Sequence, residues 1–248
     1  MISKTMRVAL TVAWLAVAVA LLAVPVAAYG QHWGIFPQIP AMFVSFRVAL
    51  GAAALGVLLG VVALWLARFH GWRSRPFLTA AVSSLVSLSV LVLLVERAQQ
   101  ARAQPPGIHD ITTDTDSPPA FEALLAERKA SARNPADYNP AVAPLQRRTY
   151  PDIQPILIDR PLEAAFDQAL AAARAMGWAI AAADKLSGRI EATATTTWFE
   201  FKDDVVIRVT EAAPGKSRVD VRSLSRIGGG DQGQNAARVR AYSARLRG

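Results

Sequence analysis

The chain has 248 residues and no cysteine. Disulfide stapling, thiolate catalysis and cysteine-based zinc sites are excluded at once. A soluble part of roughly 140 residues is large enough to hold together by burying its own core. Histidine is scarce as well: of the three, only His109 lies beyond the apolar N-terminal half. One imidazole leaves no defensible Ser–His–Asp set. Acids are nearly missing from residues 1–104, where Glu96 stands alone against Lys4, Arg7, Arg47, Arg68, Arg73, Arg75, Arg97 and Arg102, for a charge of +7. Residues 105–248 hold 19 basic and 18 acidic side chains and carry +1. The pI of 10.4 therefore belongs to the apolar half. Nucleic-acid binding needs many Lys and Arg contacts to phosphate, and a nearly neutral soluble part argues against it.

What is plentiful is apolar sequence, 52% of the chain, gathered in three runs. Residues 8–30 form the first. Val26-Ala27-Ala28 resembles a signal-peptidase site, but the run is longer than a signal h-region and matches the roughly 20 residues that span hydrocarbon. An uncleaved helix is the better reading. Residues 48–67, bracketed by Arg47 and Arg68, form the second run, and residues 77–95 the third, with Pro76 suited to a first helical position. Basic flanks set orientation. Lys4 and Arg7 precede the first run and Arg68, Arg73 and Arg75 separate the second from the third, whereas residues 31–42 hold none. The expectation is a cytoplasmic N-terminus and an extracytoplasmic 96–248 in a bacterial inner membrane. Loss of the first run would leave the same side. Arg47, Arg97 and Arg102 run against the rule; Arg47 can snorkel to the headgroups. Tyr29, Trp33 and Phe36, and then Trp65, Phe69 and Trp72, fit interfacial aromatic belts. Ala52, Gly56 and Gly60 make a small-xxx-small stripe for close helix contact, with Ser83, Ser84, Ser87 and Ser89 able to bond across it; packing within the chain is preferred over dimerisation. No acid, His or Lys lies mid-span, so proton relays and ion pathways have no candidate residue.

Residues 96–149 read as a Pro-rich linker and lead-in packed on the domain; ten of the fifteen prolines fall in 105–161. Ser117-Pro118 is suited to start a short helix with Phe121, Leu124, Leu125 and Arg128 at helical spacing. Residues 150–248 read as an α+β domain. Its strands are 153–158, 178–183, 189–197, 205–210 and 218–226. Its helices are 161–176, closed by Gly177, and 232–246, capped by Asp231 and striped by Ala236, Val239, Ser243 and Leu246. The order β-α-β-β-β-β-α implies a mainly antiparallel sheet with helices on one face.

Three blocks occur in order. The first is Ile108-His109-Asp110-Ile111-Thr112-Thr113-Asp114 with Ser117-Pro118-Pro119-Ala120-Phe121. Tyr150-Pro151-Asp152-Ile153 with Pro155 follows, and then residues 217–226 with Gly228, Asp231, Gly233, Asn235, Ala236 and Arg238. Together they resemble the uncharacterised family called domain of unknown function 1499, in its membrane-anchored type, over about 105–247. The resemblance implies no agreed activity. The chain departs from members that carry a Cys near the start of the domain, so no thiol role transfers.

His109, Asp110, Asp114 and Asp116 are the densest group of acid–base or metal-ligating side chains. Carboxylates with an imidazole can hold a cation or activate a water. Their spacing fits no metal loop, and Asp and Thr in such runs more often build Asx turns and caps. Residues 227–233 form a Gly-rich strand-to-helix turn, where backbone N–H groups can meet an anion. A tight connection explains the glycines equally well. Arg222 and Arg226 share a strand face, and with Gly228, Asp231, Asn235 and Arg238 they make the candidate ligand surface, although they could also pair with Asp220 or Asp231. Phe199 and Phe201 share a strand face, with Trp198 opposite; an exposed Trp198 would indicate a partner or lipid surface. The leading reading is a non-enzymatic, membrane-tethered binding or assembly module, with the membrane, envelope proteins or lipid as partners, no nucleic acid and no cofactor. The alternatives are a hydrolase or metal-dependent enzyme using His109, Asp110 and Asp114, and a carrier of an apolar or lipid ligand.

Overall fold

Small residues spaced alternately three and four apart govern how the N-terminal helices pack. The computed structural model describes residues 4–70, 74–103 and 107–247, in two units, Met1–Ala101 and Arg102–Gly248. The first unit contains α1 (Lys4–His32), α2 (Gln38–Ala67) and most of α3 (Arg75–Ala103). α1 buries Ala9, Ala13, Ala16 and Ala20; α2 buries Ala49, Ala53, Gly56, Gly60, Ala63 and Ala67; α3 buries Ala80, Ser83 and Ser87. A mean repeat of 3.5 keeps such a seam turned toward its neighbour. In lipid, close van der Waals approach drives helix association, and small side chains permit it. A Cβ on Gly56 would collide with the Ser87 hydroxyl, and one on Gly60 with that of Ser84. The expected stripe is therefore present in its glycines, with Ala53 rather than Ala52 buried beside them. The serines do not bridge helices in the way anticipated. Ser83 and Ser84 donate to the Ala80 carbonyl at 3.0 and 2.8 Å, and Ser89 to that of Leu85 at 2.9 Å, all within their own helix.

Leu15, Leu58 and Leu85 point outward. All three helices are long and apolar enough to cross a membrane. The protein is an integral membrane protein on that basis. The helices outrun the apolar runs. α2 starts at Gln38, inside the expected loop, because Pro40 in a first turn loses no needed hydrogen bond.

The second unit is built on one antiparallel sheet. Its strands are β1 (Asp110–Thr112), β2 (Ile156–Ile158), β3 (Ala179–Asp184), β4 (Arg189–Thr195), β5 (Lys202–Ala213) and β6 (Lys216–Ser225). The order is β1-β6-β5-β4-β3, with β2 also paired to β6. β1 and β2 share the outer edge of β6: Asp110 lies opposite Leu224, and Ile156 opposite Val219. Among the described residues, four α-helices complete the unit, α4 (Leu125–Ser131), α5 (Ala143–Thr149), α6 (Leu162–Ala175) and α7 (Gln234–Arg247), with a 3-10 turn at Pro140–Val142 leading into α5. The elements from β2 onward follow the expected order. β1 and α5 are additions within the Pro-rich lead-in; the short helix expected there is α4, which starts at Leu125 rather than at Ser117-Pro118.

The two sheet faces differ because strand side chains alternate. Ile190, Ala192, Val205, Ile207, Val219 and Val221 form one face. α6 covers it with Phe166, Ala169 and Ala173, and α7 with Ala236, Val239, Tyr242 and Leu246. Tyr242 stacks on Trp178 with centroids 5.3 Å apart and donates to the Ala169 carbonyl at 3.0 Å. The buried side chains of the sheet and of both helices belong to one cluster. The other face is charged and lies under the lead-in, which adds one apolar patch of Phe121, Leu124, Val206 and Leu224.

Candidate functional site

The charged face follows from sequence register. On β6, Arg218, Asp220, Arg222 and Leu224 point the same way, and pairing sets Asp220 opposite Arg208 and Leu224 opposite Asp204 on β5. The lead-in removes most of these groups from water, and a buried charge must be paired and hydrogen-bonded. Arg222 reaches the Asp110 carboxylate through two bonds of 2.9 and 2.8 Å, and also donates to the Pro119 and Ala136 carbonyls. The rings of Phe121 and Tyr138 stand 5.2 and 5.5 Å from its guanidinium carbon. Arg226 reaches Asp204 at 2.8 Å and Glu127 at 2.6 Å, and Arg128 donates to the same Asp204 at 2.6 Å. Glu191, fully buried, accepts the backbone N–H groups of Glu122, Ala123 and Leu124 at 2.7–3.0 Å, which fastens the lead-in to β4.

One corner of this face is open. Thr113, Asp114, Thr115, Asp116, Ser117, Gln146, Arg147, Gln154 and Arg218 line a pocket of about 460 Å³. Asp114 organises it. One carboxylate oxygen accepts the N–H groups of Asp116 and Ser117 at 3.1 and 2.9 Å, closing an Asx turn. The other accepts from Arg208 at 3.0 Å and Arg218 at 2.7 Å. Asp220, at the base, accepts from both arginines and from the Thr113 hydroxyl. Gln146 holds the wall by bonding both the N–H and the carbonyl of Thr112. At the rim, Arg147 pairs with Asp116 and donates to the Thr115 hydroxyl at 2.7 Å.

Burial pushes the Asp114 carboxyl up, but the Ser117 and Asp116 N–H groups and the charges of Arg218 and Arg208 outweigh it and hold it below the usual carboxylate range. The Tyr138 hydroxyl, on the edge of the Arg222 cage, is pushed up to about 12, first by burial and then by the Asp110 charge.

The structure disperses the acid–base group expected in the first block. Asp110 is spent on Arg222, Asp114 on Arg208 and Arg218, and Asp116 on Arg147. The His109 carbonyl accepts from Ser225 N–H and from the Asn235 side chain, while its Nδ1 is buried without a hydrogen-bond partner. Among the described residues, no three His, Asp or Glu side chains are placed to hold a metal ion. Of the expected ligand surface, Asp231, Asn235 and Arg238 are joined by hydrogen bonds, whereas the two strand arginines are turned into the domain. Arg222 and Arg226 are 2% and 3% exposed, and they pair with Asp110 and Asp204 rather than with Asp220 or Asp231. Gly228 offers its carbonyl to Asn134 at 3.0 Å. Asp231 accepts the Gly233 and Asn235 N–H groups at 2.9 and 2.6 Å and so caps α7. Asn235 bonds Ser223 and Ser225, and Arg238 bonds Asp203 at 2.6 Å.

Arg147, Arg208, Arg218 and Gln146, which shape the pocket, were not among the expected site residues, nor were the buried acids Glu191, Asp204 and Asp220. The available signal was the i, i+2 charge ladder on β6 facing Asp204 and Arg208 on β5, since opposite charges on paired strands attract.

No curated protein matches the chain at a significant level. The family described as "Protein of unknown function (DUF1499)" matches residues 110–246, a span that covers the sheet, the charged face and the pocket. More than half of the chain lies in that match, so the chain belongs to the DUF1499 family.

Proposed function

We propose that the protein is a membrane-tethered binding module whose folded domain stands on the extracytoplasmic side of a bacterial inner membrane and engages a small anionic group at the 113–117 pocket, without catalysing a reaction. The observation that carries this reading is the division among the arginines. Arg222 and Arg226 are consumed inside the domain, whereas Arg147 and Arg218 at the pocket keep 50% and 36% of their side chains exposed. The Arg147–Asp116 pair is solvent-exposed, so opening it costs about 1 kcal/mol or less. Once open, it offers a planar fork suited to carboxylate or phosphate. The hydroxyls of Thr115 and Ser117 stand beside it as further donors. A hydrolase would need His109, Asp110 and Asp114 around one reacting atom, and the assignment of each acid to a separate arginine favours binding instead. The single buried cluster that joins sheet and helices likewise favours it over an apolar-ligand carrier. The basic flanks of the three spans support the orientation.

Calorimetric titration of the full chain in detergent with inorganic phosphate and with a small dicarboxylate tests the pocket. Saturable binding is expected, weakened about tenfold in Arg147→Ala, equivalent to about 1.4 kcal/mol, with the melting temperature unchanged. No heat with either anion, or equal affinity in the variant, would sink the pocket assignment.

A further inference from the structure

The strand expected over 189–197 ends at Thr195, and Phe199 and Phe201, expected to share a strand face, lie outside any strand. The Thr196 hydroxyl accepts the Phe201 N–H at 2.9 Å and the Thr196 N–H donates to the Phe201 carbonyl at 2.9 Å, which folds the intervening residues into the turn joining β4 to β5. Glu200 takes a left-handed φ of 51° within it. As a result Phe199 turns inward, 4% exposed, while Trp198 stands out, 55% exposed. A single exposed apolar residue needs no explanation on its own. What matters is where this one sits.

A run of contacts ties the turn to the end of the sheet where the chain enters the domain. The Arg226 N–H donates to the Lys202 carbonyl at 3.0 Å, one residue past the turn. The Arg226 carbonyl accepts from the N–H groups of Arg133 and Asn134 at 2.8 and 3.0 Å. The Asp231 N–H donates to the Ile108 carbonyl at 3.3 Å, and Gly230 lies against Gly107. Gly107, Arg133, Lys202 and the 196–201 turn therefore share one end of the sheet. In sequence, residues 96–103 carry α3 past its apolar run, and Gly107 follows the last of them by four. The same end also carries exposed Arg133 and Lys202, the latter 4.0 Å from Glu127, which Arg226 holds as well, and Glu200 stands within the turn itself. Tryptophan favours the headgroup region, where its ring is buried and its N–H stays wet, and cationic side chains flank it there.

We propose that the 196–201 turn is a membrane-surface contact of the domain, with Trp198 seated among the lipid headgroups of the bilayer that holds α3. The contact serves on either face of the bilayer and does not involve the pocket, so it stands or falls separately from the proposed function.

The cysteine-free chain makes the test direct. Thr197→Cys, exposed beside Trp198, carries a nitroxide label in the full chain reconstituted into phosphatidylethanolamine–phosphatidylglycerol vesicles. Leu186→Cys, fully exposed in the turn before β4 and at the other end of that strand, is the reference. Collision with oxygen, which concentrates in lipid, is compared with collision with a water-soluble nickel chelate. A several-fold higher oxygen-to-nickel ratio at 197 than at 186 is expected, and Trp198→Ala brings the 197 value down toward the reference. Equal ratios at the two sites, a label at 197 shielded from both reagents by a protein, or a ratio indifferent to Trp198→Ala would each overturn the proposal. Trp198→Ala removes an exposed side chain and leaves the core intact, so folding does not confound the result.

Discussion

Arg222 is almost completely buried and still charged, a position tolerated only because Asp110, two carbonyls and two aromatic rings enclose it. Arg222→Ala leaves the Asp110 carboxylate in that enclosure unpaired. Breaking such a pair costs about 3–5 kcal/mol, and a fall of about 10 °C in the melting temperature of the full chain is expected. Replacing both partners, Arg222→Met with Asp110→Leu, should restore most of the loss, because no lone charge remains. Asp114 supplies a pH dependence. Its folded carboxyl is held below the unfolded value of about 3.9. The stability it gives is therefore complete above that value and drains away as the pH falls through the lower folded one. Thermal melts taken below pH ~4 should drop more steeply for the native chain than for Asp114→Asn. Asp231 has the opposite sign. Burial raises its carboxyl despite the Asn235 and Gly233 N–H groups, so part of its capping is offset as the pH rises past the unfolded value.

At the scale of elements, two glycines hold contacts that no side chain could share. Gly188 has φ 66°, a Cβ there would overlap the Val209 carbonyl, and its own carbonyl accepts the Val209 N–H at 2.7 Å. Gly188→Ala should cost roughly 1–2 kcal/mol for the left-handed backbone alone, and more for the overlap, visible as a lowered melting temperature. Gly60 plays the corresponding part between α2 and α3. Gly60→Leu should abolish short-range cross-linking between Ala63→Cys and Ala80→Cys, whose native side chains share one cluster with Ala9. The elements legible in the sequence were those whose burial pattern is local. β4 alternates Ile190 and Ala192 against Glu191 and Thr193, and α6 closes at Gly177 as its stripe and its glycine imply. β1 was not legible, since Asp110–Thr112 becomes a strand only by pairing with residues near the far end of the domain. Nor was the 196–201 turn, where aromatic alternation suggested a strand and the Thr196 hydroxyl captured the backbone instead. The stripe of α7 omitted Tyr242 for a similar reason, because its partners, Trp178 and Ala169, belong to other elements. The acids of the first block were visible as a cluster; the arginines that claim Asp110 and Asp114 lie 94 to 112 positions away, and Arg147, which claims Asp116, lies 31 away, so none could be read from local spacing.

On the scale of the whole molecule, charge is divided between a basic membrane half and a nearly neutral domain, and the basic residues are concentrated around the helices long enough to span a bilayer. The proposed orientation predicts that an enzyme reporter active only outside the cytoplasm is active when fused after Gly248, and that one active only inside is silent there. The reverse pattern would place the pocket on the cytoplasmic side. β1, the first strand after the membrane helices, is completed by β6, so the piece of the domain synthesised earliest waits for nearly all the rest before it gains a partner. Contacts of such long separation form slowly. A ribosome still translating the domain holds a chain that cannot yet close its sheet, and final closure belongs to the moments after β6 is released.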